Sequence, residues 1–242
     1  MSHPPPDISF IMPCFNEEEV IEYTIPRFVR AFADAGYPLE LVACDNGSSD
    51  RTGEILQRFA EQGLPIVIHR VERNEGYGNG VLQALPHCSA PWVGIIPADG
   101  QVDAEDVVRV YESVMNSSGS VLAKVHRRFR LDGPMRSVIS AVYNSFMRLL
   151  WPRLGSFDVN GSPKLLHRNV IDAMQLQSKD WLLDAEIMIK AQQMGLQVIE
   201  MNVFARMREH GTSHVDAGTT WQFVKRLLQF RFGSALKGPP PR

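Results

Sequence analysis

Four short apolar runs, ISFIMPC, LELVACD, PIVIHRV and PWVGIIPAD, are separated by amphipathic segments between residues 8 and 99. Runs of this length, bounded by turn residues, read as strands buried on both faces. The segments between them carry helix-start residues and helical spacing, as in NGSSDRTGEILQRFAEQG, which ends at Gly63. This alternation predicts an α/β fold with a mostly parallel central sheet and helices on both faces. Ligands of such sheets bind beyond the carboxyl ends of the strands. Asn16, Asp45, the Gly-rich turn at 76–80 and Asp99 all fall on that edge, more polar groups than helix capping alone requires. Asn16 is expected to cap the helix after the first strand, and Asp50 the helix RTGEIL.

The second half changes rhythm. SVLAKVHRRFRLDG reads as a strand leading into a basic loop, with Lys124, His126, Arg127, Arg128 and Arg130 close together. PMRSVISAVYNSFMRLLWPRLG has apolar positions at Val138, Ile139, Val142, Phe146 and Leu150, an amphipathic helix. Such a face either packs into a core, the expectation here, or lies on a bilayer. A helix over DWLLDAEIMIKAQQMG, a strand over LQVIEMNV and a last helix from about Thr219 complete the chain. With no repeat or linker, residues 1–242 read as one domain with tails at 1–7 and 234–242.

In WVGIIPADGQVDAED a buried strand delivers Asp99 and Gln101 at its tip. Both side chains offer hard oxygens, the kind that hold Mg²⁺ or Mn²⁺ when phosphate completes the shell. They also suit an ordinary turn. Asp103, adjacent to the helix starting near Ala104, is the better cap, which releases Asp99 for another task.

PCFNEEEVI, CDNGSSDRT, NEGYGNGV, PADGQ, DVNGSPKLLHR, DAEI and REHGTS, in that order, resemble the family 2 glycosyltransferases, and among them the dolichyl- or polyprenyl-phosphate sugar synthases. The resemblance covers roughly residues 7–215 and implies a GT-A type fold, a divalent metal (Mg²⁺ or Mn²⁺), and inverting transfer from a UDP- or GDP-linked sugar. It implies that Pro13, Phe15, Asn16, Glu17 and Asp45 contact the nucleoside, and that Asp99 with Gln101 holds the metal. Gly76 and Gly78 would allow close backbone approach. Arg127 or Arg130 would clamp a phosphate, which guanidinium does well in bidentate geometry. Arg208, Gly211 and Ser213 match a phosphate-binding pattern, with His214 where Lys is common. Asp184 and Glu186 match the family's acidic pair, as general base or as orienting groups. One departure stands out: Pro97 replaces the first acid of the metal motif.

The acceptor implied is polyprenyl phosphate, and a soluble metabolite or glycan fits the chain as well. Pro97 also motivates a reading of another class, a regulatory protein that binds a sugar nucleotide without turning it over. A nucleotidyltransferase and a dinucleotide-dependent dehydrogenase rank lower, since the turn after the first strand lacks their Gly-rich patterns.

The formal charge of −2 gives no overall pull on nucleic acid, and no nucleic-acid partner is expected. Cys14, Cys44 and Cys88 are odd in number, have no ligand spacing, and read as buried structural thiols. No signal-like or membrane-spanning run is visible, so a cytoplasmic protein, peripheral to a membrane at most, is expected. A homo-oligomer is compatible with the chain.

Overall fold

A computed structural model describes residues 4–117, 119–130, 134–205 and 217–232. The first four strands are β1 (Ile8–Cys14), β2 (Leu39–Asp45), β3 (Ile66–Arg70) and β4 (Trp92–Ile95). Between them run α1 (Glu18–Asp34), α2 (Thr52–Glu61) and α3 (Tyr77–Ala84), and α4 (Ala104–Glu112) follows β4. The rest comprises β5 (Val121–Arg130), α5 (Pro134–Leu150), β6 (Lys164–His167), α6 (Arg168–Met174), α7 (Leu183–Gln193), β7 (Gln197–Ala205) and α8 (Ala217–Phe232).

The seven strands form one sheet in the order β3-β2-β1-β4-β6-β5-β7. Pairing is parallel except around β6, which runs antiparallel to both β4 and β5. Sequence reading missed β6 and α6, because KLLH is too short to carry a period of its own.

Alternate residues of the central strands serve opposite cores, as a pleated strand requires. Phe10 and Met12 join Ile21, Ile25, Phe28 and Phe32 of α1 on one face, while Ile11 joins Val81, Met147, Trp151 and Leu183 on the other. Phe10 meets Phe28 edge to face at 5.0 Å. Gly94 makes this possible, since a Cβ there would lie 2.3 Å from the Phe10 ring.

Several expectations change. The basic residues 124–130 lie on β5 rather than in a loop. Glu17, not Asn16, stands at the N-cap of α1, and Asn16 takes a left-handed φ of 54° and turns to Ser49. Asp50 instead serves two helices, accepting from the Glu18 N–H of α1 at 3.1 Å and the Thr52 N–H of α2 at 2.9 Å. Helix α5 buries Asn144 and Met147, and Trp151 just after it is buried too, whereas Val138, Ile139, Val142 and Leu149 are all more than half exposed. The apolar stripe read from its periodicity is therefore largely the outer side; the sheet is met by another face of the same helix.

Candidate functional site

The carboxyl ends of β1 and β2 place two loops side by side. Cys14 pairs with Asp45, and the Asn46 N–H reaches back to the Cys14 carbonyl at 2.8 Å. Asn16 ties the loops further, its Oδ1 accepting from the Ser49 N–H at 2.9 Å. The Thr52 hydroxyl accepts from the Glu17 N–H at 2.9 Å. Asp45 is buried; its Oδ1 accepts from the Ser48 N–H at 2.9 Å, and its Oδ2 lies 3.6 Å from Arg70 Nε. Gly53 lines the same carboxylate, since a Cβ there would sit 2.8 Å from Oδ2. Pro13 is the penultimate residue of β1, and Phe15 follows its end.

The Gly-rich turn does allow a close backbone approach, and the backbone that approaches is the chain's own. A Cβ on Gly76 would lie 2.5 Å from the Lys179 carbonyl, and one on Gly78 would lie 2.2 Å from that of Ser178. Their close approach is to segment 178–180 of the same chain, and the Asn79 N–H donates to the Lys179 carbonyl at 2.7 Å.

Asp99 and Gln101 sit in the turn after β4. The Gln101 N–H donates to Asp99 Oδ1 at 3.2 Å, so one carboxylate oxygen shapes the turn. Gly100, with φ 61°, keeps the turn against Thr24, where a Cβ would come within 2.5 Å of the Thr24 methyl. Pro97 lines a crevice with Thr24, Arg27 and Asp103. Asp103 holds the N-cap of α4 without a side-chain capping bond, and its carboxylate pairs with Arg27 at 3.2 Å.

Below these turns lies a set of buried ion pairs. Arg127 on β5 grips Asp158 through Nε at 2.9 Å and Nη2 at 3.1 Å. Burial opposes the Arg127 charge, but Asp158, with Asp184 and Asp99 beyond it, raises the guanidinium above its ordinary value. Asp158 is driven well below the carboxylate range, because Arg127 and Lys124 overcome its burial. Lys164 on β6 pairs with Asp184 at the start of α7. Its cross-strand partner Lys124, fully buried, donates to Glu200 Oε1 at 2.8 Å. Burial and the neighbouring Lys164 charge lower Lys124 to about 8, against the pull of Glu200 and Asp158.

Tyr77 connects the turns to these pairs. Burial, then the charges of Asp184 and Asp99, push its phenol well up. Lys164, the partner of Asp184, stands opposite Ile95, the last residue of β4, and opposite Lys124, three residues before Arg127, so Asp184 and Arg127 fall in the neighbourhood of the turn after β4 that carries Asp99.

Glu186 does not join it. Fully buried, it accepts from the Gln177 N–H at 3.0 Å and the Ser178 N–H at 2.7 Å, and pairs with Lys190 at 2.6 Å. These bonds use it to fasten segment 177–178, whereas Asp184 of the same acidic pair meets Lys164. Arg130 stands on β5 opposite Ala205. Arg208, Gly211, Ser213 and His214 lie outside the described residues.

Sequence reading passed over Lys164, Asp158, Glu200 and Tyr77. For Glu200 the signal is a lone ionisable residue inside an apolar run, QVIEM: such a group must find a partner on burial.

Among the described residues, no three His, Cys, Asp or Glu cluster as a self-sufficient metal site. Asp99 and Gln101 instead suit a hard cation that takes one or two protein oxygens and completes its shell on phosphates.

The profile described as glycosyl transferase family 2 matches residues 9–182. The chain belongs to glycosyl transferase family 2. Over 207 residues this family 2 chain is 28% identical to an undecaprenyl-phosphate 4-deoxy-4-formamido-L-arabinose transferase of Edwardsiella ictaluri, covering 85% of the chain and 62% of that protein. The chain thus spans less than two thirds of the length of that curated relative. A glycosyltransferase of Mycobacterium bovis, of uncharacterised activity, is 26% identical over 223 residues, 92% of the chain and 95% of that protein. Glucosyl-3-phosphoglycerate synthase from Mycobacterium tuberculosis superposes with a TM-score of 0.73 at 20% identity, over 94% of this chain and 80% of that one. A structure of the same synthase with Mn²⁺, UDP and glucosyl-3-phosphoglycerate gives 0.71 at 19% identity, again over 94% and 80%. The fold is accordingly GT-A, as expected.

Proposed function

We propose that this family 2 chain transfers a sugar, with inversion, from a UDP- or GDP-linked donor to polyprenyl phosphate. The observation that carries the reading is the placement of Asp99 after β4, of Arg127 with Asp158, and of Asp184 with Lys164 at the carboxyl-end rim, beside the Asn16–Asp45 loops. A nucleotide diphosphate is the leaving group, so negative charge grows on it in the transition state and must be met by fixed positive groups. In this reading the nucleoside lies on Pro13, Phe15, Asn16, Glu17 and Asp45, and Asp99 with Gln101 holds Mg²⁺ or Mn²⁺. The metal, when bound, would supply positive charge at the diphosphate.

Arg127 supplies a second positive group. Asp158 occupies its Nε–Nη2 edge and sets its plane, leaving the other edge of the fork for a phosphate. Asp184, oriented by Lys164, either takes the proton of a hydroxyl acceptor or orients an acceptor that is already anionic. A phosphate acceptor makes the second role sufficient. Arg130, Arg208 and Ser213 remain proposed phosphate contacts.

Two findings favour a lipid acceptor. The Edwardsiella relative carries undecaprenyl phosphate in its name, and α5 exposes Val138, Ile139, Val142 and Leu149 beside Arg148, a surface suited to a membrane interface. Among the described residues no helix is long and apolar enough to cross a membrane.

Thermal unfolding with UDP, GDP, CDP and dTDP, each with and without Mn²⁺ or Mg²⁺, tests the donor reading. At about a hundred times its Kd a nucleotide stabilises by roughly 2.7 kcal/mol, or about 5 to 10 °C for a chain of this size. A metal-dependent shift with one nucleotide would name the base; transfer of the matching sugar to a short-chain polyprenyl phosphate would then establish the reaction. No shift with any nucleotide would overturn the reading. A metal-dependent shift without transfer or hydrolysis would favour the regulatory binder that Pro97 suggests.

A further inference from the structure

Trp181 lies flat against Tyr77, with ring centroids 4.9 Å apart and planes only 4° from parallel. Tyr77 is the inner ring, its hydroxyl buried. Trp181 is the outer ring and is 43% exposed, whereas Trp92 and Trp151 are buried. An exposed indole on a loose loop would mean little, since single exposed apolar residues are ordinary. This one is not on a loose loop.

The segment that carries it is fastened from three directions. The Asn79 N–H holds the Lys179 carbonyl, Glu186 holds the Gln177 and Ser178 N–H groups, and Asp180 Oδ1 accepts from the Leu182 N–H at 3.0 Å. Gly76 and Gly78 exist in a form that admits no side chain, so that this segment can lie against the start of α3. The ring stack fixes the indole plane as well. The result is a rigid aromatic surface, held in one orientation and presented outward three residues before Asp184, as a preorganised binding group should be.

We propose that Trp181 is the platform on which the sugar ring of the donor stacks, and that it sets which sugars are accepted. This rests on the donor reading above. A hexose has one face rich in C–H groups, which an aromatic ring binds through its area and its electron-rich face. Its hydroxyls point outward in the ring plane and remain available to polar groups. The position favours sugar over base: Trp181 stands three residues before Asp184 at the start of α7, the proposed acceptor end, and stacks on Tyr77 at the start of α3, while the proposed base site is at Asp45. Hexoses that carry an axial hydroxyl on the stacking face would sit less flat and bind less well.

Calorimetric titration in Mn²⁺ tests this, using UDP against UDP-glucose and GDP against GDP-mannose, with wild type, Trp181→Ala and Trp181→Phe. The alanine variant is expected to weaken the nucleotide sugar about tenfold and the free nucleotide less than about twofold, and phenylalanine to restore most of the loss. Should the alanine variant fail to fold, Trp181→Leu replaces it, keeping bulk but no aromatic face. Equal weakening of nucleotide and nucleotide sugar would overturn the proposal in favour of a structural or base-stacking role, and so would no weakening of either. If neither nucleotide binds wild type, the donor reading itself fails and this proposal with it; if they bind but Trp181 is indifferent, only this proposal falls.

Discussion

Asp158 holds Arg127 in a two-point grip, Oδ2 to Nε at 2.9 Å and Oδ1 to Nη2 at 3.1 Å, with both side chains largely buried. The Arg127 N–H also donates to the same carboxylate at 3.3 Å. The pair therefore fixes the orientation of the guanidinium beneath the candidate site, and each partner depends on the other for its charge.

Asp158→Asn should destabilise the fold by about 3 kcal/mol, since removing one partner strands a buried charge. The folded Asp158 carboxyl is depressed, so its contribution is complete above the unfolded value of about 3.9 and is lost as pH falls below it. Urea unfolding between pH 2 and 7 should show wild type losing stability in the acid range, and the asparagine variant losing less.

Arg127→Lys keeps the charge and loses the fork. Transfer should fall by about a hundredfold in kcat with little change in KM, the pattern of a group that acts on charge developing in the transition state. A raised KM with kcat unchanged, measured with the donor that gives the thermal shift, would assign Arg127 to ground-state binding instead.

Lys124 makes stability rise with pH. Its folded value of about 8 lies below the unfolded value of about 10.4, so the unfolded chain holds more protons between them and the folded state gains as pH climbs through that window. The full span is of order 3 kcal/mol. Cys44 and Cys88, raised by burial to about 12, act in the opposite sense above the unfolded thiol value of about 8.5. The comparison is therefore wild type against Lys124→Met from pH 7 to 10.5; the difference between the two curves should rise in favour of wild type.

Gly78→Ala should cost about 2 kcal/mol or more, because the new methyl would meet backbone, the Ser178 carbonyl at 2.2 Å and that of Asp180 at 2.8 Å, and neither can move like a side chain. Displaced with them would be Trp181, so the variant should also show a red-shifted indole emission. An unchanged Tm and spectrum would mean that segment 178–180 yields easily.

Pro97→Asp tests the departure from the family pattern. An added carboxylate beside Asp99 should lower the Mn²⁺ concentration needed for the nucleotide-dependent thermal shift by about tenfold, or 1.4 kcal/mol. Asp99→Ala should abolish the metal dependence altogether. If Pro97→Asp leaves the metal requirement unchanged, position 97 faces the crevice beside Thr24 and not the donor.

The sequence alone determined the alternating strands and helices, the carboxyl-end rim and the family, because these are written in local periodicity and in ordered short motifs. Asp45 and Asp99 were legible because a strand end fixes where its last polar residue goes. What only the tertiary structure decided is the partner of each charge. Arg127 and Asp158 are separated by 31 positions, Lys164 and Asp184 by 20, and Lys124 and Glu200 by 76. Glu186 and Asp184 sit two residues apart on one helix, yet one clamps a loop and the other meets Lys164, since two residues are about half a turn of helix and point to opposite sides. The same holds for α5, whose apolar periodicity marks a face without saying what covers it. Local sequence sets which residues share a side of an element; only chain closure over tens of residues sets what that side meets.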